Sequence, residues 1–201
     1  VCPPANLRAL KLLENLRVCR AVATGRSLYS ARKVIGPEFP IDFLIVSSGA
    51  AILDWRSDRM TYETHMSPAQ RRQISDCLRT FGLDFTVQHA VPDSHCFTAF
   101  PTEIPHEDFN RRRNGYEDFE KSLDPQAGEC CHCLAIAADM PGLYNRVRSA
   151  LPQYTVIRTT SPLDGESLWI EVFPPHVSKP QAAARIAKEL HITRVRCAAV
   201  G

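Results

Sequence analysis

Three residues with phosphate-binding side chains stand beside predicted helix starts in this sequence of 201 residues. Thr24 and Ser48 each follow a short apolar run, and Lys179 follows Ser178 near the other end of the sequence. The N-terminus of a helix carries unpaired N–H groups and a partial positive charge, so a hydroxyl or ammonium group placed there is suited to hold an anion. The residues alone are therefore compatible with an α/β module that binds an anionic ligand through Thr24, Ser48 and Lys179.

The first fifty residues alternate helix and strand signals. Leucines recur every three positions from Leu7 to Leu16 behind Pro4, which predicts a helix. Short apolar runs predict strands at residues 18–23 and 43–46, separated by a helix at residues 27–35. This order is typical of a parallel α/β sheet, in which ligands collect beyond the carboxyl ends of the strands. Thr24 and Ser48 are then expected on the same edge of the sheet.

The last thirty residues repeat this pattern, whereas the middle of the chain differs. Ser178 and Pro180 predict a helix start, and residues 195–200 predict a buried strand. Residues 55–174 mix helix signals, such as the one between Ser67 and Gly82, with strand signals at residues 85–89, 96–100, 134–138, 154–159 and 168–173. We expect residues 1–54 and 175–201 to share one core, with residues 55–174 inserted as a separate α+β domain.

Composition and charge exclude several classes of protein. The net charge of +2 is too small to predict nucleic-acid binding, and the one tight basic run, residues 111–113, lies among acidic residues and predicts a solvated helix face. No apolar run approaches the roughly 20 residues that cross a bilayer, and the first residues do not resemble a signal peptide. We therefore expect a soluble cytoplasmic protein that contacts neither membrane nor nucleic acid.

The eight cysteines include one cluster, at residues 130–133. Cys130 and Cys133 have the spacing of redox and zinc sites, and His132 adds a third potential ligand. A closed zinc site needs a fourth ligand, however, and the sequence contains no second C-x-x-C or H-x-x-x-H. We interpret the cluster as the entrance of a strand with reduced thiols, and no metal ligand is assigned.

Taken in order, three phrases resemble motifs of the haloacid dehalogenase-like (HAD) phosphatases, in their Cof-type branch. They are residues 23–27 with residues 30–32 after them, residues 47–50 at the end of the second strand, and residues 171–179. The resemblance covers the whole chain at suitable spacings. It implies a HAD-like Rossmannoid fold of class α/β, with a parallel sheet core and an inserted α+β cap domain.

The resemblance assigns catalytic roles to Thr24 and Lys179. Thr24 matches the hydroxyl that holds the phosphoryl oxygens, and Lys179 matches the lysine that offsets the negative charge gathered during transfer. Without the resemblance, Thr24 would be read as an ordinary helix N-cap and Lys179 as a surface residue.

Four further residues match substrate-binding positions. Gly25 allows close backbone approach to a phosphate, and Arg26 is placed to reach the substrate or the cap. Ser48 and Gly49 stand where this branch usually has Asn-Gly, so Ser48 keeps a donor but shortens its reach. A second departure is Pro180, which replaces a common glycine and should be tolerated in a first helical turn.

The resemblance also implies residues that this sequence lacks. The Asp-x-Asp motif, which supplies the nucleophile and the general acid, occurs nowhere in the sequence, and the acidic motif that completes the Mg²⁺ site is expected beyond residue 201. We expect the chain to be a portion of a longer protein, inactive alone, with its magnesium ligands outside these residues. The neighbours of the absent central strand would then expose backbone that parallel sheets bury.

Two functions follow from the resemblance. The first is a magnesium-dependent phosphohydrolase that acts on a small phosphorylated metabolite, with sugar phosphates as the usual substrates of this branch. It would proceed through an aspartyl-phosphate whose aspartate lies outside the sequence. The alternative is a catalytically inactive HAD-like module that binds a phosphorylated ligand or a protein. The oligomeric state is not indicated by the sequence.

Overall fold

A computed structural model describes residues 2–124 and 128–200 of the chain. These residues form two compact units, one running up to Glu63 and resuming at Val177, the other spanning Thr64–His176. The divisions thus fall after Glu63 and after His176, nine and two residues beyond the boundaries expected from the sequence at 54 and 174. None of the helices in the described ranges is long and apolar enough to cross a membrane.

The helices and strands of the described residues follow one another in a mixed order. The helices are α1 (Pro4–Asn15), α2 (Leu28–Arg32), α3 (Pro68–Thr80), α4 (Glu107–Gly115), α5 (Leu143–Ala150) and α6 (Lys179–Glu189). The strands are β1 (Ala21–Ala23), β2 (Phe43–Val46), β3 (Ala51–Asp54), β4 (Arg59–Glu63), β5 (Asp84–His89), β6 (Phe97–Phe100), β7 (Cys130–Ala137), β8 (Thr155–Thr160) and β9 (Leu168–Phe173). Short 3₁₀ turns cover Ser47–Gly49, Glu117–Phe119 and Arg194–Arg196.

The first unit holds a four-stranded sheet in the order β1-β2-β3-β4. The pairing of β1 with β2 is parallel, as the alternation of helix and strand predicts, and α2 lies in the connection between them. Strands β3 and β4 extend the sheet antiparallel, with Ile45 of β2 opposite Ile52 of β3. These two isoleucines pack against Ala182 and Ile186 of α6, so the helix that begins at Lys179 is fixed to the sheet by apolar contacts.

The predicted strand at residues 195–200 is wrong. Residues Arg194–Arg196 form a 3₁₀ turn, and the side chains of Val195 and Val200 are 93% and 101% exposed. An apolar run becomes a strand only where a neighbouring strand pairs with it and covers its faces. Among the described strands of this sheet, β1 forms one edge, and Ala21 and Ala23 on it are exposed.

An ion-pair network ties the first unit together at the N-terminal ends of β1 and β2. The buried Arg20 guanidinium donates to both carboxylate oxygens of Asp42, at 3.0 and 2.8 Å, and to the Leu10 carbonyl of α1 at 3.3 Å. The exposed Arg56 pairs with Asp42 at 2.9 Å and with Glu14 at 2.8 Å. Burial raises the pKa of Asp42, but hydrogen bonds from Arg20 and the charge of Arg56 outweigh it, so the net shift is downward.

The second unit is an antiparallel sheet in the order β6-β5-β7-β9-β8. The central strand β7 is buried along its whole length. Cys133, Ala135 and Ala137 face a core completed by α3 and α5, while Leu134 and Ile136 face Phe109 of α4. Helices therefore cover both faces of the sheet, and the predicted α+β character of this region is confirmed.

The cysteine cluster lies inside this central strand. Cys130, Cys131 and Cys133 are buried, and the His132 ring stacks on Phe173 with centroids 4.5 Å apart. Burial lowers the pKa of His132 to about 3, with the Arg112 charge acting in the same direction, so the ring is neutral at pH 7. A hydrogen bond that the Cys133 thiol donates to Cys130, together with burial, raises the pKa of Cys133 and keeps that thiol protonated. These groups are part of a packed core.

Candidate functional site

Three short segments of the first unit carry all the site residues that the sequence predicts. Residues 24–26 follow β1, Ser47–Gly49 follow β2, and Ser178 with Lys179 begins α6. The first two segments lie at the carboxyl ends of neighbouring parallel strands, as expected. The third segment begins a helix, so strand pairing does not bring it to this edge. Its contacts with the middle segment, Ser47–Gly49, place it there.

Thr24 is held in place by its backbone, which leaves its hydroxyl hydrogen available. The Thr24 amide donates to the Ile45 carbonyl at 2.9 Å, and the Thr24 Oγ1 accepts from the Arg26 amide at 3.1 Å. The N-cap of α2 is Ser27, whose hydroxyl accepts from the Ser30 amide at 3.3 Å. Thr24 is thus not the helix cap. Of the described residues, none accepts a hydrogen bond from its hydroxyl, so the group is able to donate to a ligand.

The segment Ser47–Gly49 has left-handed backbone at three consecutive residues. Their φ angles are 47°, 58° and 108°. The Ser47 amide donates to the Arg26 carbonyl at 2.8 Å, and the Ser48 amide donates to the Thr24 carbonyl at 3.1 Å. A non-glycine residue with positive φ is costly unless its surroundings hold it, and here two hydrogen bonds to the neighbouring segment do so.

Ser48 is turned toward Gly25 and away from solvent. Ser48 is 7% exposed, and its Oγ lies 3.4 Å from the position that a Cβ on Gly25 would occupy. The sequence assigned both residues to substrate binding. The two residues are therefore neighbours, although a Cβ on Gly25 would meet the Ser48 hydroxyl at an ordinary van der Waals distance, so this contact by itself does not require a glycine.

Gly49 lies directly against the start of α6. A Cβ on Gly49 would stand 2.4 Å from the Ser178 carbonyl oxygen and 3.1 Å from the Lys179 nitrogen. Ser178 caps the helix by accepting from the Gln181 amide at 3.3 Å, and Pro180 occupies the first turn, as the sequence predicts. The Lys179 side chain is exposed.

The structure thus joins Thr24 and Lys179 to one loop. The Ser48 amide donates a hydrogen bond to the Thr24 carbonyl, and Gly49 packs on the Ser178 backbone, which precedes Lys179. Gly25 and Arg26 lie in the same segment as Thr24, and both are exposed. The contact between Gly49 and Ser178 was not predicted from the sequence, although a glycine that follows two serines at a strand end is a signal for close backbone approach.

The arrangement offers donors and positive charge but no set of acidic ligands. In residues 2–124 and 128–200, no three His, Cys, Asp or Glu side chains are grouped so that they could hold a metal ion. Asp42, the carboxylate that precedes β2, is engaged by Arg20 at the opposite end of that strand. The described residues therefore do not fit the Mg²⁺ that the resemblance implies.

The basic run on α4 is only partly the solvated face that the sequence predicts. Arg111 pairs with Glu107, and Arg113 pairs with Glu120 at 2.7 Å, both in exposed positions. Arg112 instead turns inward: its guanidinium lies about 5.0 to 5.6 Å from the ring centroids of Phe97, Tyr116 and Trp169. Burial lowers the pKa of Arg112 to about 10. The prediction is therefore wrong for this arginine, because aromatic rings from other elements cover it.

The family of haloacid dehalogenase-like hydrolases matches residues 2–201 of the chain. No curated protein matches the chain significantly. Among solved structures, it is similar to a haloacid dehalogenase-like hydrolase from B. subtilis, with a TM-score of 0.69, 16% identity, and coverage of 99% of this chain and 76% of that one.

Two further solved structures have the same fold. One is a protein from Bacteroides thetaiotaomicron described among phosphatases of the HAD superfamily, with a TM-score of 0.72, 14% identity, and coverage of 95% of this chain and 66% of that one. The other is a HAD subclass IIB sugar phosphatase, with a TM-score of 0.62, 14% identity, and coverage of 95% and 70%. The chain thus spans about two thirds to three quarters of the length of these structures.

Proposed function

Because the chain belongs to the haloacid dehalogenase-like hydrolase family, we propose that it is the phosphate-binding portion of a phosphohydrolase that acts on a small phosphorylated metabolite. The family match confirms the resemblance seen in the motifs, and the solved structures share the expected α/β fold with its additional α+β unit. Activity and substrate are our proposal.

One observation carries this proposal. The Thr24 backbone carbonyl accepts a hydrogen bond from the Ser48 amide, and the start of α6 packs on Gly49. Thr24 and Lys179 are therefore both positioned by the loop Ser47–Gly49, at the edge where parallel strands β1 and β2 end. Ligands of α/β sheets bind at this edge. A hydroxyl donor, an ammonium group and a helix N-terminus together match the negative charge of a phosphate.

In this proposal each residue has a defined task. Thr24 donates its hydroxyl hydrogen to a phosphoryl oxygen, and Lys179 supplies positive charge that stabilises the charge on the transferred group. The exposed Arg26 extends the positive surface toward the remainder of the substrate. Gly25 and Ser48 shape the backbone beside the anion.

The nucleophile is not among these residues. No Asp-x-Asp occurs in the 201-residue sequence, so we propose that an aspartate outside it attacks the phosphorus. The P–O bond to the substrate's alcohol group breaks as the aspartyl-phosphate forms, and the alcohol leaves with a proton from the general acid. Water then attacks the aspartyl-phosphate, which restores the aspartate and releases inorganic phosphate. Mg²⁺, which the family resemblance implies, would offset phosphate charge. Since the described residues do not gather its ligands, none of the roles given to them depends on it.

The alternative is a catalytically inactive module that binds a phosphorylated ligand or a protein. A gene without an Asp-x-Asp would favour this candidate, and a gene that encodes one would favour the phosphohydrolase. A module that binds a phosphorylated ligand would use the same anion site as the phosphohydrolase and would differ from it in hydrolysis. Sugar phosphates are the first substrate class to test, since one similar fold belongs to a sugar phosphatase.

Titration with inorganic phosphate tests the binding site. Hydrogen bonds to charged groups contribute about 1.5–3 kcal/mol, so Lys179→Ala and Thr24→Val should each weaken phosphate binding by roughly tenfold or more. The dissociation constants can be measured by ³¹P NMR. Lys188→Ala is the matched control, because it removes a lysine from the last turn of the same helix and should leave phosphate affinity unchanged.

Two results separate the candidates. We expect the 201-residue chain to bind phosphate without hydrolysing a phosphate monoester, and a longer protein that includes an Asp-x-Asp to hydrolyse it with added Mg²⁺. Hydrolysis absent from the longer protein, with binding intact, would favour the inactive module. Phosphate binding that survives both substitutions would disprove the site itself.

A further inference from the structure

Gly49 meets two constraints at once that no other residue type satisfies. Its φ of 108° lies where L side chains are rarely found. A Cβ there would also stand 2.4 Å from the carbonyl oxygen and 2.5 Å from the carbonyl carbon of Ser178. Both contacts are with backbone atoms, so no side-chain rotation relieves them.

The same loop is fixed on its other side. The Ser48 amide donates to the Thr24 carbonyl, and the Ser47 amide donates to the Arg26 carbonyl. The loop Ser47–Gly49 is fully buried, with Ser47 at 1% and Ser48 at 7% exposure. It therefore has little room to move away from an added atom.

From these contacts we infer that Gly49 is a positioning residue: it sets the place of Lys179 relative to Thr24 by letting the Ser178 backbone lie where a side chain would otherwise stand. The inference deepens the phosphate-binding role proposed above and rests on it for its functional readout. Gly49 contacts the backbone that carries the lysine, which gives it a different task from the direct substrate contact that the motif predicts.

The expected consequence of Gly49→Ala follows from the geometry. The added methyl group forces either the loop or the start of α6 to shift, and the residue that follows the clash is Lys179. Displacements of about 1 Å at a binding group cost up to 100-fold in function. We expect the dissociation constant for inorganic phosphate to rise about tenfold or more while the protein remains folded.

Two other glycines provide matched controls. Gly82 has a φ of 64° and no atom within 4 Å of an added Cβ, so Gly82→Ala introduces backbone strain without a clash. Gly36 has open space and no positive φ, so Gly36→Ala is the same substitution in an unconstrained loop of the first unit. Both variants should bind phosphate with an affinity within about twofold of that of the wild-type protein.

The experiment is a phosphate titration by NMR on the full chain and these three variants. Backbone amides are labelled with ¹⁵N, and lysine side chains with ¹³C at Cε. The Lys179 Cε signal reports the surroundings of the ammonium group directly. A substitution that only lowers stability does not shift this signal while the protein remains folded. Thermal unfolding of each variant establishes that the titration temperature lies in the folded range.

The outcomes are distinguishable. Weakened binding confined to Gly49→Ala, with a shifted Lys179 signal, supports the inference. Unchanged affinity and an unchanged Lys179 signal in a folded Gly49→Ala overturn it, while lost binding in Lys179→Ala leaves the proposed phosphate site standing. If the unchanged chain does not respond to phosphate, the proposed function fails, and the Lys179 signals of the Gly49→Ala variant alone decide the positioning role.

A measurement on the unchanged chain covers the case in which Gly49→Ala does not fold. The position that a Cβ on Gly49 would occupy lies 3.1 Å from the Lys179 nitrogen, and one Gly49 Hα points in that direction. We therefore expect a nuclear Overhauser effect between a Gly49 Hα and the Lys179 amide hydrogen. Its presence supports the contact that the inference needs. Its absence overturns the inference whatever the variants do.

Discussion

The two units of this chain bury their elements to different degrees. In the second unit both faces of the sheet are covered by helices, and its central strand β7 is buried throughout. In the first unit α1 has no buried residue and two of the three residues of edge strand β1 are exposed. The candidate anion site lies in the first unit, where its polar segments are held by backbone contacts more than by a large core.

The comparison predicts where substitutions cost most. Phe85→Ala removes a ring that is 1% exposed and stacks on Phe100 with centroids 4.9 Å apart. Such truncations in a core cost about 3–5 kcal/mol. The free energy of unfolding, measured with urea, should fall by that amount. Leu12→Ala, on the 59% exposed Leu12 of α1, should change it by less than about 0.5 kcal/mol, and equal effects would contradict the contrast.

The Arg20–Asp42 ion pair should contribute strongly to the stability of the first unit. Arg20→Met leaves the Asp42 carboxylate without its buried partner, and removing one member of a buried pair costs about 3 kcal/mol or more. Trp55 and Trp169 lie one in each unit, so fluorescence of variants that keep a single tryptophan reports the two regions separately. The loss should be seen by the Trp55 signal.

Arg56→Met is the matched control for that change. Arg56 pairs with the same Asp42 and Glu14 but has a side chain that is 61% exposed. Solvent-exposed pairs contribute about 0–1 kcal/mol, so this variant should lose far less stability than Arg20→Met. Similar losses in the two variants would mean that burial of Arg20 is not what makes the pair matter.

Acid should weaken the first unit through the same carboxylate. The folded-state pKa of Asp42 lies below its unfolded value, so its contribution is complete above about pH 4 and is lost as the pH falls through the folded pKa. We expect Asp42→Asn to be less stable at pH 6 and to lose less stability between pH 5 and pH 2. Urea unfolding followed by Trp55 across that range measures both, and parallel curves for the two proteins would contradict the assignment.

Helix capping gives the smallest effects and compares the units on equal terms. Ser67 caps α3 in a box with Gln70, and Ser178 caps α6 through Gln181. Replacement of either serine by alanine should cost about 1 kcal/mol. Gln70→Ala isolates the second half of the box, and a neutral Ser67→Ala would show that the cap adds nothing to α3.

Local signals predicted the elements whose own residues suffice to define them. Ser67, Pro68 and Gly82 delimit α3 as expected, and the short apolar run of β2 matches the structure. The hairpin of β3 and β4 was not predicted, because the expected boundary at residue 54 left β3 in the core and put β4 in the inserted region. Residues 195–200 failed for the opposite reason, since they have strand propensity without a described partner.

The candidate site was predictable in part. The motif order pointed to Thr24 and Lys179, and parallel pairing of β1 with β2 placed Thr24 beside Ser48. The contact between Gly49 and Ser178 joins residues more than a hundred positions apart, so a local pattern can indicate close backbone approach at Gly49 but not which residue approaches it. Arg112 shows the same limit, because the rings that cover it come from β6, β9 and the residue that follows α4.

The distribution of thiols gives the chain a built-in covalent reporter of opening. The buried thiols, Cys96, Cys130, Cys131 and Cys133, all lie in the second unit, whereas the accessible or half-buried ones of the first unit are Cys2, Cys19 and Cys197. Alkylating reagents attack the thiolate and need access to sulfur. Mass increments on peptides from the first unit should therefore appear early, and increments on the four buried thiols should mark the moment at which the sheet around β7 comes apart.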